Sequence, residues 1–206
     1  MEAARRSNSP RVYERAVELA LRARNGESAL NAAQSWSKAF PASNEANRYL
    51  LQILIGLNRI ADTLEPLKKD IQSYPLKERA VAISVIPRYF MRASEKVLAA
   101  TVVEQALSVD IGNPATASTA WATIGAMRLN AGNPATALEA ARKSAAGATI
   151  GDEVAVLALN LMDAKTPAAE TIVTRYMAGK PLPELRLAYV RKLLESNRMA
   201  DALAQL

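Results

Sequence analysis

The chain has no cysteine and no histidine, and only two Phe and two Trp among its 206 residues. The missing cysteines exclude structural disulfides and thiol catalysis, and they leave the redox state of the compartment open. Without histidine, nucleophilic triads, most zinc sites and imidazole acid–base chemistry lose their commonest member. Long apolar runs are absent as well. The longest uncharged stretch, Ile111 to Met127, carries Gly, Asn, Pro and several Ser or Thr, so no segment can span a bilayer. The opening MEAARRSNSP lacks the apolar stretch of a signal peptide, though a mature form that has lost one fits equally well.

Alanine, in contrast, fills 41 positions. A core this poor in large rings and rich in small side chains predicts many helix contacts at close range rather than a sandwich or barrel. The net charge of +6 comes from 26 basic and 20 acidic residues. Basic residues such as Arg5, Arg6, Lys68 and Lys69 are interleaved with Glu and Asp along most of the chain, which reads as a solvated mixed surface rather than a nucleic-acid footprint.

Periodicity predicts amphipathic helices separated by short breaks of Gly, Asn, Pro or Ser, and such breaks make neighbouring helices antiparallel. The β-branched run AVAISVI, Ala80 to Ile86, has no second strand to pair with and is expected to be a buried helix face. Pro87 should kink the helix that contains it, through its missing N–H and its ring. GNPATA occurs twice, at Gly112 to Ala117 and at Gly132 to Ala137. Each copy offers Asn as N-cap and Pro as first helical residue, so both are expected to start helices. Neither accompanies a G-K-[ST] run, which excludes a phosphate loop.

The segments AFP and SYP end at Pro41 and Pro75, 34 residues apart. In AWATIGAMRLNAGNPATALEAARKSA, Trp121 is followed by Ile124-Gly125, then Gly132 and Ala137. Trp121 and Gly125 share a helix face, and the missing side chain lets a partner helix approach. This pattern resembles the tetratricopeptide repeat, whose period is 34 residues. It departs from that family at Arg128, where an aromatic is usual, and at Ala141. The resemblance implies an all-α, right-handed superhelical solenoid of helix pairs over residues 1–206. Its approximate repeats are 10–43, 44–77, 78–117, 118–149, 150–182 and an incomplete 183–206. Both ends read as cut, as in a fragment of a longer array, and the apolar residues Met199, Leu203 and Leu206 of an uncapped last helix could pair two copies into a homodimer.

Candidate chemistry is sparse. Glu14 and Glu18 share a helix face, and Asp152 and Glu153 open a helix, but solvated charge patterns and the helix dipole explain both pairs. No catalytic residue, cofactor site or metal cluster is expected, and the chain reads as a non-enzyme. In the solenoid register, the first helix of each pair lines a concave groove. That places Arg11, Glu14, Glu18, Glu45, Arg48, Gln52, Arg88, Arg92, Thr119 and Thr123 there, a mixed set suited to an extended peptide or a partner helix. Glu14 and Glu18 stand where a carboxylate-clamping subclass has Lys and Asn, so a peptide's terminal carboxylate is not the expected ligand.

The opening SNSPRVYERAVELALRARNGESALNAAQSWSKAFP is similar to early repeats of long bacterial tetratricopeptide lipoproteins of the outer membrane. The likeness is carried by Pro10, Val12, Glu14-Arg15-Ala16, Trp36 and Pro41 and covers roughly the first 70 residues. It implies a periplasmic adaptor anchored to the outer membrane, holding a carboxyl-terminal processing protease with cell-wall hydrolases; a cytoplasmic location stays open. The alternative is a basic helical-repeat nucleic-acid-binding module, which steep salt dependence would reveal.

Overall fold

The computed structural model describes residues 9–147, 149–163 and 166–205. The described residues are all-helical, with no strand among them. They divide into two compact units. Unit 1 takes the chain up to Ala82 together with Arg88–Ala106, and unit 2 takes Ile83–Pro87 together with the chain from Leu107 on.

Unit 1 begins with α1 (Pro10–Arg22), α2 (Gly26–Ala39) and α3 (Asn44–Gly56). A short 3-10 turn at Ile60–Thr63 leads into α4 (Leu64–Gln72). α5 (Leu76–Ser84) and α6 (Ile86–Tyr89) follow, contributing Leu76–Ala82 and Arg88–Tyr89 to this unit and their remaining residues to unit 2, and then α7 (Lys96–Ala106). α1 packs on α2, α2 on α3, α3 on α4, and α4 on α7. The core of its first half gathers Tyr13 and Val17 of α1, Ala29, Leu30, Ala33 and Trp36 of α2, and Ala46, Ile53 and Leu54 of α3. Alanine faces let these helices approach closely, and Trp36 is fully buried among them. Truncating such a ring costs about 3–5 kcal/mol.

Unit 2 contains α8 (Ala117–Asn130), α9 (Pro134–Ser144), α10 (Asp152–Asp163), α11 (Glu170–Met177), α12 (Pro183–Glu195) and α13 (Met199–Leu203). α8 packs on α9, and α10 packs on both as well as on α11 and α12. Gly125 is where the approach is closest. A Cβ there would lie 2.4 Å from Leu157 Cδ2 and 3.2 Å from the Ala137 carbonyl oxygen. The small residue is thus required by its neighbours on α9 and α10, as its spacing from Trp121 suggested.

Helix starts follow local chemistry. Asn25, Ser43 and Asn133 accept the capping bonds of Ser28, Ala46 and Thr136 at 2.9, 3.1 and 3.4 Å. Four helix ends share one device. Among the described residues, Arg24, Asn58, Gly132 and Asn197 have positive φ, at 53°, 55°, 79° and 59°. The next N–H in each case bonds a carbonyl five residues back: Asn25 to Ala20, Arg59 to Leu54, Asn133 to Arg128 and Arg198 to Leu193.

Three expectations change. The first GNPATA copy does not cap an α-helix: Asn113 Oδ1 takes the Ala115 N–H in a turn, and α8 begins only at Ala117. Thr116, at the N-cap of α8, is buried and donates its hydroxyl to the Asp110 carbonyl at 2.9 Å, with its backbone outside helical geometry at φ −124° and ψ −17°. The run Ala80 to Ile86 is helical except for a break at Val85. Ile83 and Ile86 are buried within it, but Val81 is 69% exposed, so it is not one continuous buried face. Thr123 does not line a groove. It is buried and donates to the Ile83 carbonyl at 3.2 Å. That carbonyl precedes Pro87 by four residues and has no helical N–H to receive, so the threonine hydroxyl replaces the missing donor.

Candidate functional site

The solvent face of α3 repeats at helical spacing: Glu45, Arg48 and Gln52 are exposed and Tyr49 is half-buried. The opposite face, Ala46, Asn47, Leu51, Ile53 and Leu54, is buried, which fixes how the helix presents these four side chains. Asn47 anchors it further by donating to the Pro66 carbonyl at 2.8 Å. A cleft lies on each side of this face. The smaller, of about 170 Å³, is lined by Arg48, Leu51, Gln52, Ile55, Asp70 and Tyr89. The larger, of about 330 Å³, runs past Leu21, Tyr49, Gln52, Gly56 and Leu57. Gln52 borders both.

Tyr49 connects the larger cleft to the core, its ring 5.5 Å from that of Trp36. Burial raises its hydroxyl pKa, and Glu14, Glu18 and Glu45 raise it further. Three of the sequence-predicted residues therefore project one negative field onto this tyrosine. Glu18 is also paired with Arg15 at 3.0 Å.

The smaller cleft is built around a carboxylate. Asp70 of α4 is buried, and its Oδ1 is enclosed without receiving a hydrogen bond. The Arg48 Nε lies 3.5 Å away, an ion pair at long range. The other end of Arg48 donates to the Tyr74 hydroxyl at 3.1 Å and lies over its ring at 5.6 Å. Desolvation raises the carboxyl pKa of Asp70 above the usual range, with Arg48 opposing. Tyr89 is raised as well, by burial first and Asp70 next.

Of the predicted groove residues, Arg48 and Gln52 share a cleft, and Glu14, Glu18 and Glu45 act together on Tyr49. Arg11, Arg88 and Arg92 are exposed in unit 1, the last two flanking cleft-lining Tyr89 in sequence. Thr119 is half-buried on α8 of unit 2, and Thr123 is the structural contact described above. Asp70, Tyr74 and Tyr89 were not anticipated. The available signal was an acid on an apolar stripe, since Leu67, Asp70 and Ile71 occupy one helix face. Of the acidic pair at the start of α10, Asp152 accepts from the Tyr176 hydroxyl at 2.7 Å.

Among the described residues, no group of His, Cys, Asp or Glu could hold a metal ion, and no helix is long and apolar enough to cross a membrane. No protein-family model matches the chain, and no curated protein matches it in sequence.

Proposed function

We propose that this chain is a non-catalytic binding module whose helical hairpins offer the exposed face of α3 to a peptide or protein partner. The observation that carries this reading is the pair of clefts flanking Glu45, Arg48, Tyr49 and Gln52. Amphipathic and charged side chains beside apolar recesses are what peptide recognition uses. The 34-residue spacing of Pro41 and Pro75 and the Gly125 contact support a tetratricopeptide-like, right-handed superhelix as its architecture. The role of envelope adaptor, in the periplasm beside a processing protease and cell-wall hydrolases, rests on the resemblance of roughly the first 70 residues alone. As such an adaptor it would act by raising the effective concentration of its partners.

The test is selection of random peptides displayed on phage, with a variant that closes the larger cleft as control. Gly56 lines that cleft and a Cβ there meets nothing within 4 Å, so Gly56→Phe has room to begin a bulky side chain at the cleft wall. A peptide consensus that binds the wild type and loses affinity for Gly56→Phe is expected. Its binding should shift Trp36 fluorescence through Tyr49, read in a Trp121→Phe background. No consensus, or one indifferent to Gly56→Phe, overturns the reading. Binding of duplex DNA or single-stranded RNA that collapses from low to moderate salt would favour the nucleic-acid alternative.

A further inference from the structure

We propose that the smaller cleft of unit 1 is a socket for an arginine side chain of the partner, with Asp70 as counter-ion and Arg48 as the placeholder that the incoming guanidinium displaces. This rests on the peptide-binding reading above and names what one part of that surface takes. The argument begins with an imbalance. A carboxylate removed from water needs hydrogen-bond donors, yet Asp70 Oδ1 receives none and has only a long ion pair. Its side chain is 9% exposed, while that of Arg48 is 52% exposed and is held at its far end by Tyr74. The arginine already present is poorly placed to serve the acid, and what holds it at the exposed rim is its contact with Tyr74.

The remaining walls suit the same ligand. Leu51 and Ile55 offer apolar surface to an aliphatic stem, and the half-exposed ring of Tyr89 offers a face to a planar cation. At about 170 Å³ the cleft falls below the roughly 300 Å³ at which small-molecule sites begin, and matches a single side chain. A guanidinium is favoured over an ammonium because it sheds water more readily and carries several coplanar donors. Glu14, Glu18 and Glu45, gathered about Tyr49 on the same α3 face, add an attractive field for a basic segment. An anionic side chain would instead meet Asp70.

The socket is tested by amide NMR titration of the whole chain with N-acetyl-arginine methylamide, using the citrulline and glutamate counterparts as controls. The arginine amide is expected to shift the resonances of Leu51, Ile55 and Tyr89, and the two controls to leave them in place. Asp70→Asn should abolish the shifts. Arg48→Gln, on the exposed rim, should tighten binding about two- to five-fold by removing an exposed competing ion pair. Shifts of equal size from citrulline or glutamate, or none from arginine, would overturn the proposal. Unchanged affinity in either variant would do the same. If peptide selection yields a cleft-dependent consensus without arginine, the socket falls while the binding module stands. If it yields no consensus at all, the wider reading falls too.

Discussion

Each unit contains an acid, an arginine and a tyrosine in contact, and the two clusters are finished differently. In unit 2, Glu170 receives the Arg198 Nη1 at 2.6 and 2.8 Å and the Tyr189 hydroxyl at 2.7 Å. Arg198 also reaches Asp201 at 2.6 Å, so donors and acceptors are matched throughout. In unit 1, Asp70 has Arg48 at 3.5 Å, and Tyr74 accepts from the arginine instead of donating to the acid. The same three residue types therefore make a saturated structural joint in one place and an unsaturated carboxylate beside a cleft in the other. Chemical composition does not decide whether such a cluster is closed; the tertiary geometry that sets its hydrogen bonds does.

The most severe test of this contrast is Glu170→Ala. It strands the hydroxyl of buried Tyr189 and one arm of Arg198, and chemical denaturation should register a loss of about 2–3 kcal/mol. A loss near zero would place Glu170 in the same class as Asp70. Next in size is Tyr189→Phe, expected to cost about 1–1.5 kcal/mol, whereas Tyr74→Phe, which removes a solvent-exposed bond, should cost no more than about 0.5 kcal/mol.

The tyrosine contrast also has a pH signature. Burial, and then the bond to Glu170, raise the Tyr189 pKa well above the tyrosine range. A raised folded-state pKa means that its contribution is complete below the unfolded value, near 10, and is lost as pH climbs toward the folded value. Thermal melts should therefore fall at strongly alkaline pH, and Tyr189→Phe should lessen the fall. Tyr176, raised mainly by burial, accounts for a remaining share.

Asp70→Asn reverses the sign. The raised carboxyl pKa means that ionised Asp70 opposes folding, so stability from this group is full below about pH 3.9 and declines as pH rises through the folded value. The asparagine variant should be more stable at pH 7 by up to about 1 kcal/mol, with the gain vanishing near pH 3. A destabilised variant at pH 7 would show that Arg48 already satisfies the acid. The smallest effect belongs to Glu27→Ala, a few tenths of a kcal/mol at most, because its pair with Arg59 is 3.8 Å long between exposed side chains.

Much of the fold was readable. Asn133 was readable as a helix cap because its side chain reaches an N–H three residues on, a contact needing no distant partner. Gly125 was readable because only a missing Cβ suits a close approach at that spacing. The sequences Asn58–Leu64 and Asn197–Leu203 both follow the pattern N-R-x-A-D-x-L, and both form a positive-φ turn with an Arg to Asp pair three residues on. Their distances differ, 3.7 Å for Arg59 to Asp62 against 2.6 Å for Arg198 to Asp201. Asn58 additionally accepts from the Ser94 N–H and donates to Glu95, neither of them near it in sequence.

The site was less legible for the same reason. Glu45, Arg48 and Gln52 were read from the register of one helix, but Asp70 and Tyr89 join them from α4 and the end of α6. Thr123 was placed in a groove because periodicity alone cannot see that α8 is buried on most of its surface, nor that Pro87 leaves unfilled the carbonyl of Ile83, forty residues before the threonine.

By itself, then, the sequence determined the helical class, the helix start at Asn133-Pro134 and the exclusion of cysteine and histidine chemistry, because these depend on residue type and on contacts within one turn. Tertiary structure decided which charges are satisfied and which threonine is buried. It also decided where the clefts open, since solvation and hydrogen-bond saturation belong to the neighbours that folding brings together.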